Sequence, residues 1–326
     1  MFAIRYKNIF IGIGLFVIVG SLLIVGMLGL RLGIDFTGGA LTESSYVERP
    51  AKEVFETKLD TLNLGGYSLR ASNDDAGRDG YILRTKDLTE NERVAVSKVM
   101  TSEGTDAEIT RFTSIGPVIG EELKDKAVWA ILAVSLVIIL FVAFAFRGVS
   151  YPVGSWMYGG ITIFALLHDV LVPTAAMSLL GYFLGMEVDV LFVMALLAVL
   201  GYSVNDTIVV FDRVRENLMQ FRQEKKTIVK VSGGMEREEV TYVLTKPFAD
   251  IVGMSVSETL VRSINTSFTT MLALTALYFF GGAVTQTFAL VLLVGVIAGT
   301  YSSICLANPL LVYLAERKNI KTTFSQ

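Results

Sequence analysis

The chain has one cysteine and one histidine in 326 residues, and both scarcities exclude whole classes of chemistry. Cys305 stands alone in an apolar run, so neither a disulfide framework nor a thiolate metal site can be built from this sequence. His168 has no second histidine and no His-Glu-x-x-His spacing around it, which removes the usual zinc motifs; no metal and no cofactor are implied. No phosphate loop and no nucleophile–base constellation can be picked out, so an enzyme is not expected. Charge is also thin. Only 18% of the residues are Asp, Glu, Lys or Arg, where soluble domains carry about 25%. A net charge of −3 offers no basic surface for nucleic acid.

What fills the chain instead is apolar. Hydrophobic residues make up 52% and the mean hydropathy is +0.57, an excess that has to meet lipid. Six runs approach or exceed the ~20 residues that cross hydrocarbon: 9–30, 127–146, 152–180, 188–211, 262–280 and 284–313. The first resembles a signal peptide at its start, but its apolar core is too long and no small-residue cleavage pattern follows, so it reads as a retained anchor. Arg5, Lys7, Arg147, Arg213, Arg215, Arg317, Lys318 and Lys321 fall on one set of connections, while the opposite turns around 181–187 and 281–286 hold no Lys or Arg. The positive-inside rule then puts both termini in the cytoplasm and the polar block 31–126 outside.

That outer block predicts a folded unit. Alternation at 39–47, 67–71, 81–84 and 107–112 predicts strands, and helical periodicity fits 51–62 and 90–100, with a turn at 73–77. The order β-α-β-β-α-β is that of a small ferredoxin-like α+β domain. The chain thus divides into a tail and first span (1–30), the outer domain (31–126), three spans (127–211), a cytoplasmic loop (212–261), two spans (262–313) and a cytoplasmic tail (314–326). Within the loop a two-stranded hairpin is expected around Ser232-Gly233-Gly234, followed by an interfacial helix at 249–260 after Pro247. Basic residues from Arg213 to Lys226 stand where they can meet anionic headgroups.

The candidate working residues are the polar ones inside apolar runs. Asp206, next to Asn205, lies about five residues from the cytoplasmic end of the fourth span. A carboxylate at membrane depth costs about 2.5–3.5 kcal/mol on insertion scales, so it persists only where it is paired, watered or able to take a proton. Arg262 opens the fifth span, which runs the other way, so the two helices can present an acid and a guanidinium at similar depth. The alternative is a static ion pair that fixes packing, or an Arg262 that snorkels to the interface. His168-Asp169 in the third span can relay a proton or hydrogen-bond a neighbouring helix. Pro173, one turn on, is expected to kink that span. Gly295 and Gly299 form a small-xxx-small stripe suited to close helix packing.

Several of these segments resemble the SecF family of RND-type membrane proteins. Gly33-Ile-Asp-Phe-Thr-Gly-Gly39 is similar to the signature that follows its first helix. Ala165-Leu-Leu-His-Asp169-Val and Gly201-Tyr-Ser-Val-Asn-Asp206-Thr-Ile-Val-Val-Phe-Asp212-Arg-Val-Arg-Glu-Asn217 resemble its third- and fourth-span motifs. Arg262-Ser-Ile-Asn-Thr-Ser-Phe-Thr-Thr270 and Gly299-Thr-Tyr-Ser-Ser303 resemble the fifth and sixth. The resemblance runs through nearly the whole chain in order; the stretch 225–257 is longer than the family pattern. It implies a six-helix RND half that pairs with SecD and uses the proton-motive force to assist export of a translocating polypeptide through the SecY/SecE/SecG channel of the bacterial cytoplasmic membrane. It also implies proton conduction through Asp206 and Arg262, with Asp35, Gly38 and Gly39 shaping the junction between the first span and the outer domain. Two other classes fit the residues: a proton-coupled exporter of lipids or small molecules, and a scaffold that transports nothing. The outer block of under 100 residues is small for the apolar pocket an exporter would want.

Overall fold

A computed structural model describes residues 2–73, 77–104, 106–146, 153–230 and 236–317. Arg147, Lys318, Lys321, the turn centre at 74–76 and the hairpin tip at 232–234 lie outside the described residues.

The first long helix, α1 (Lys7–Leu28), is apolar on every side and ends at Gly29. A helix without a polar stripe belongs in lipid or in a core. The chain then makes one helical turn at Ile34–Thr37 and enters the domain expected on the outer side. Its elements are β1 (Gly39–Ser45), α2 (Lys52–Asp60), β2 (Tyr67–Asn73), β3 (Asp79–Thr85), α3 (Glu90–Thr101) and β4 (Glu108–Ile115). All pairings are antiparallel and the strand order is β2-β3-β1-β4. The two-residue period of a strand sorts its faces. Leu69, Tyr81 and Leu83 turn toward the helices and pack with Phe55, Leu59, Val96 and Met100. Leu41, Glu43, Arg70, Ile82, Arg84 and Arg111 look the other way, onto the membrane bundle. A capping box, Thr89 with Glu92, starts α3 and satisfies backbone N–H groups that the first turn leaves free.

Tyr46 follows β1 and is fully buried; its hydroxyl donates to the Met100 carbonyl at 2.7 Å and lies 2.8 Å from Ser44 Oγ. Burial pushes its phenol from the ordinary 10.0 up to about 12. The folded chain therefore holds this proton more tightly than the unfolded chain, and stability falls as pH rises through that window. Tyr46→Phe is expected to cost about 1–2 kcal/mol at pH 7 and to abolish its share of the alkaline loss. Thermal unfolding of both forms, followed from neutral to strongly alkaline pH, checks this.

The bundle consists of α4 (Pro117–Ala145), α5 (Ser155–Leu184), α6 (Val190–Gln220), α7 (Phe248–Phe280) and α8 (Ala283–Tyr301), together with α1. From α8 a π-helical turn, Ser302–Ala307, leads into α9 (Asn308–Arg317). Among the described residues five helical stretches are long and apolar enough to cross a membrane: α1, α4, α5, α6 and the continuous run Thr285–Arg317. α7 falls outside that set although it has 33 residues, because Arg262, Asn265 and a series of Ser and Thr dilute its apolar length. α5 continues through Pro173 as one helix.

The stretch expected as a loop at 212–261 is helical at both ends. α6 runs on to Gln220 and α7 begins at Phe248, so no separate interfacial helix precedes the fifth span. Pro247 occupies the N-cap of α7, where its missing N–H breaks no helical bond. Polar contacts hold the two extensions together: Arg213 Nε donates to Glu258 at 2.6 Å, and Asn217 Nδ2 donates to Ser255 Oγ and to Glu258, both at 2.9 Å. Only 221–247 is left as the connection, and it forms the expected hairpin, β5 (Arg222–Lys230) against β6 (Glu236–Leu244).

Candidate functional site

Two polar clusters lie within the bundle, both bounded by α6 and by the junction of α8 with the π-helical turn. Asp206 on α6 is 4% exposed and accepts a hydrogen bond from Ser267 Oγ of α7 at 3.5 Å. Thr300 Oγ1 of α8 donates to Ser267 Oγ at 2.7 Å, which extends the cluster across three helices. Hydroxyls are the natural neighbours here, since Ser and Thr can also bond their own helix carbonyls and so need no water.

Asp169 on α5 anchors the second cluster and is fully buried. Its Oδ1 lies 2.8 Å from His168 Nδ1. Its Oδ2 accepts from Ser302 Oγ at 2.7 Å and also from Ser203 Oγ of α6. His168 stands beside Tyr301, with ring centroids 5.6 Å apart, and the Tyr301 hydroxyl donates to the Phe10 carbonyl of α1 at 2.8 Å.

Gly295 and Gly299 make both clusters possible by letting α8 approach α6. A Cβ on Gly295 would stand 2.2 Å from Val199 Cγ2, and one on Gly299 would stand 3.1 Å from Ser203 Cβ. Any side chain at 295 would push α8 away and carry Thr300 and Ser302 with it.

The expected partners are not all brought together. Arg262 is exposed on the outer side of α7 and makes no ion pair with Asp206; its charge reaches that acid only through its field. The reason is helical phase: Arg262 and Ser267 differ by five residues, which turns them to different faces at about 100° per residue. Asn205 is exposed too, on the face of α6 that points away from the bundle. His168 and Asp169 meet each other directly although successive helical residues point apart. Ser203, Ser267, Thr300 and Ser302 were not singled out in the sequence. Their signal is weak: hydroxyl residues spaced through apolar helices on either side of a buried acid.

Asp35 belongs to a separate place, the outer junction. Its Oδ2 accepts from the Val190 N–H at 2.9 Å, at the start of α6, while Asp189 caps the same helix by accepting from Phe192 N at 2.9 Å. Gly33 N and Val188 N bond to Val188 O and Arg31 O, each at 2.8 Å, which ties the entry segment to the turn between α5 and α6. Glu187 in that turn pairs with Arg84 of β3 and, at 3.2 Å, with Arg70 of β2. These groups border a cavity of about 240 Å³ between sheet and bundle. Gly38 and Gly39 link the helical turn to β1 at the same level.

The family model for the C-terminal part of the protein export membrane proteins SecD/SecF matches residues 95–235 and 230–317. The chain belongs to the SecD/SecF family. Within it, the protein translocase subunit SecF of Thermobaculum terrenum is 38% identical over 320 residues, covering 95% of this chain and 92% of that one. The protein of the same name from Sebaldella termitidis is 36% identical, covering 96% and 91%. The crystal structure of SecDF, a translocon-associated membrane protein from Thermus thermophilus, superposes with a TM-score of 0.75 at 29% identity. That match covers 96% of this chain and 38% of the SecDF chain. SecDF in a super-membrane-facing form gives a TM-score of 0.63. With its five apolar helical stretches, this member of the SecD/SecF family is a multi-pass membrane protein.

Proposed function

We propose that this chain is one half of an RND-type protein translocase and that it couples proton entry at Asp206 to protein export. The observation that carries the proposal is a carboxylate buried in an apolar helix that accepts a hydrogen bond from Ser267, itself bonded by Thr300, in a chain of the SecD/SecF family. An acid in that setting is neutral when loaded and costly when charged, which makes it a carrier rather than a fixture. α7 serves as the sixth span beside the five apolar stretches, its polar side turned to the bundle and to a partner. The outer domain is a ferredoxin-like unit, supported by its βαββαβ order and its strand order. Both termini lie in the cytoplasm and the protein sits in the bacterial cytoplasmic membrane.

The partner is SecD, because SecDF is the name of a chain of which this one spans 38%. The exposed Arg262 and Asn205 agree with that, since polar groups at membrane depth need a polar neighbour. The SecY/SecE/SecG channel and the translocating polypeptide complete the assembly. One charge crossing 100 mV supplies about 2.3 kcal/mol, enough to bias a two-state element. Export into vesicles that hold the complete assembly, with and without an imposed proton gradient, tests the reading. Asp206→Asn is expected to remove the gradient-dependent part. Gradient-driven export at the wild-type rate would refute it.

A further inference from the structure

We propose that Asp169 is a second proton-holding acid, and that Thr300 and Ser302, two residues apart on one helical run, change hydrogen-bond partners as Asp206 and Asp169 load and unload. The inference rests on the proton-exchange reading of Asp206 and adds a second site with a device that reads both.

The charged groups around Asp169 are few. His168 is its only ion-pair partner among the described residues. The other titratable groups on the elements packed against it are Asp206, one turn along α6 from Ser203, Tyr202 on the same helix, Tyr301, whose ring stands beside His168, and Cys305 in the π-helical turn. Arg262 of α7 points outward. Among the described residues no Lys or Arg forms an ion pair with Asp169.

The hydrogen positions follow from donor counting. When Asp169 is charged, Ser203 and Ser302 donate to Oδ2 and His168 Nδ1–H donates to Oδ1. When Oδ2 takes a proton, that O–H must donate, and one hydroxyl has to accept and turn its own hydrogen elsewhere. Ser302 has a second acceptor ready, the Gly299 carbonyl at 3.1 Å.

Asp206 shows the same arrangement. When it is charged, Thr300 donates to Ser267 and Ser267 donates to Asp206. When it is protonated, Asp206 donates to Ser267, Ser267 to Thr300, and Thr300 turns to the Val296 carbonyl at 2.7 Å. Each loading event adds one proton, and every hydroxyl keeps one donor bond throughout.

Both turning hydroxyls fall back on carbonyls of the preceding turn, immediately before the π-helical turn at Ser302–Ala307. Back-bonding of this kind bends helices, and π-bulges mark places where a helix can change its path. Asn308 Nδ2 donates to the Ser303 carbonyl at 2.6 Å and supports that turn from the far side. The state of both acids is thus written into one point of the helix, the entry to its π-helical turn.

Infrared difference spectroscopy of the full chain in lipid, with pH jumps, resolves the signal of a protonated carboxyl group. Two such signals are expected, one lost in Asp206→Asn and the other in Asp169→Asn. Ser302→Ala removes a donor to the charged carboxylate and should move the Asp169 signal while leaving that of Asp206 in place. Thr300→Val should shift the Asp206 signal and leave the other in place. A single titrating signal that Asp169→Asn does not touch overturns this inference and leaves the role of Asp206 intact. Two signals unmoved by Ser302→Ala and Thr300→Val overturn the partner exchange. No titrating carboxyl at all overturns the underlying reading of Asp206.

Discussion

Gly39→Ala is expected to destabilise the protein by about 3–4 kcal/mol, an effect at the upper end for a single methyl group. Two independent causes add. The backbone at Gly39 has φ 127°, a conformation that L side chains rarely adopt. The new Cβ would also stand 2.5 Å from the Thr85 carbonyl oxygen. That oxygen belongs to β3, whose Thr85 is paired with Ala40 in the register of the sheet, so it cannot rotate away. The preceding glycine is equally confined, with Pro117 of α4 at 2.7 Å from a Cβ placed at 38. Gly66→Ala is the control: φ is 124°, but nothing lies within 4 Å of the added carbon, so only the backbone term of about 1–2 kcal/mol remains. The difference in melting temperature between the two variants isolates the clash. Equal melting would mean that β3 yields at the junction.

The second large effect is expected at Glu187. Arg70 and Arg84 both reach this one carboxylate from the sheet, and its side chain is only 13% exposed. Glu187→Lys would set three positive side chains against one another in a partly closed space. Breaking a fully buried pair costs about 3–5 kcal/mol; for this partly solvated group about 2 kcal/mol is appropriate. That corresponds to a roughly thirty-fold larger population with the outer domain detached from the bundle. Limited proteolysis of the full chain at the connections before β1 and after β4 should accelerate by a similar factor. Adding Arg84→Glu should recover much of the loss. Because Glu187 stands just ahead of α6, the helix that carries Asp206, the proposed coupling expects gradient-driven export to suffer as well, although Asp206 is untouched. Cleavage at the wild-type rate in Glu187→Lys would show that the Asp35 and Val188 backbone contacts hold the domain without it.

The outer domain was readable from the sequence because alternation is a direct record of a one-sided sheet. Leu69, Tyr81 and Leu83 sit on the buried face that their spacing predicts, and every expected strand and helix appears with its end shifted by a few residues. The extent of α6 and α7 was not readable. Beyond the membrane these helices are stabilised by contacts such as Arg213–Glu258 and Asn217–Ser255, and pairs 38 to 45 residues apart leave no periodic trace. The site was half readable. Depth and charge mark Asp206 as a candidate, and the rarity of histidine draws attention to His168-Asp169. Charge pairing alone favours Arg262 as the partner of Asp206, yet helical phase delivers Ser267. Hydroxyl contacts depend on rotation about helix axes and on the close approach at Gly295 and Gly299, and neither is fixed by composition.

β4 forms one edge of the outer sheet and lies beside β1, with Gly39 opposite Ile115, so the chain enters and leaves the domain at adjacent points on its membrane side. A load drawing the domain away from the bilayer pulls on both strands in the same direction, with their rungs crosswise to the tension. Nothing unzips. The unit can transmit traction as a stiff tether while its own hydrogen-bond ladder stays closed.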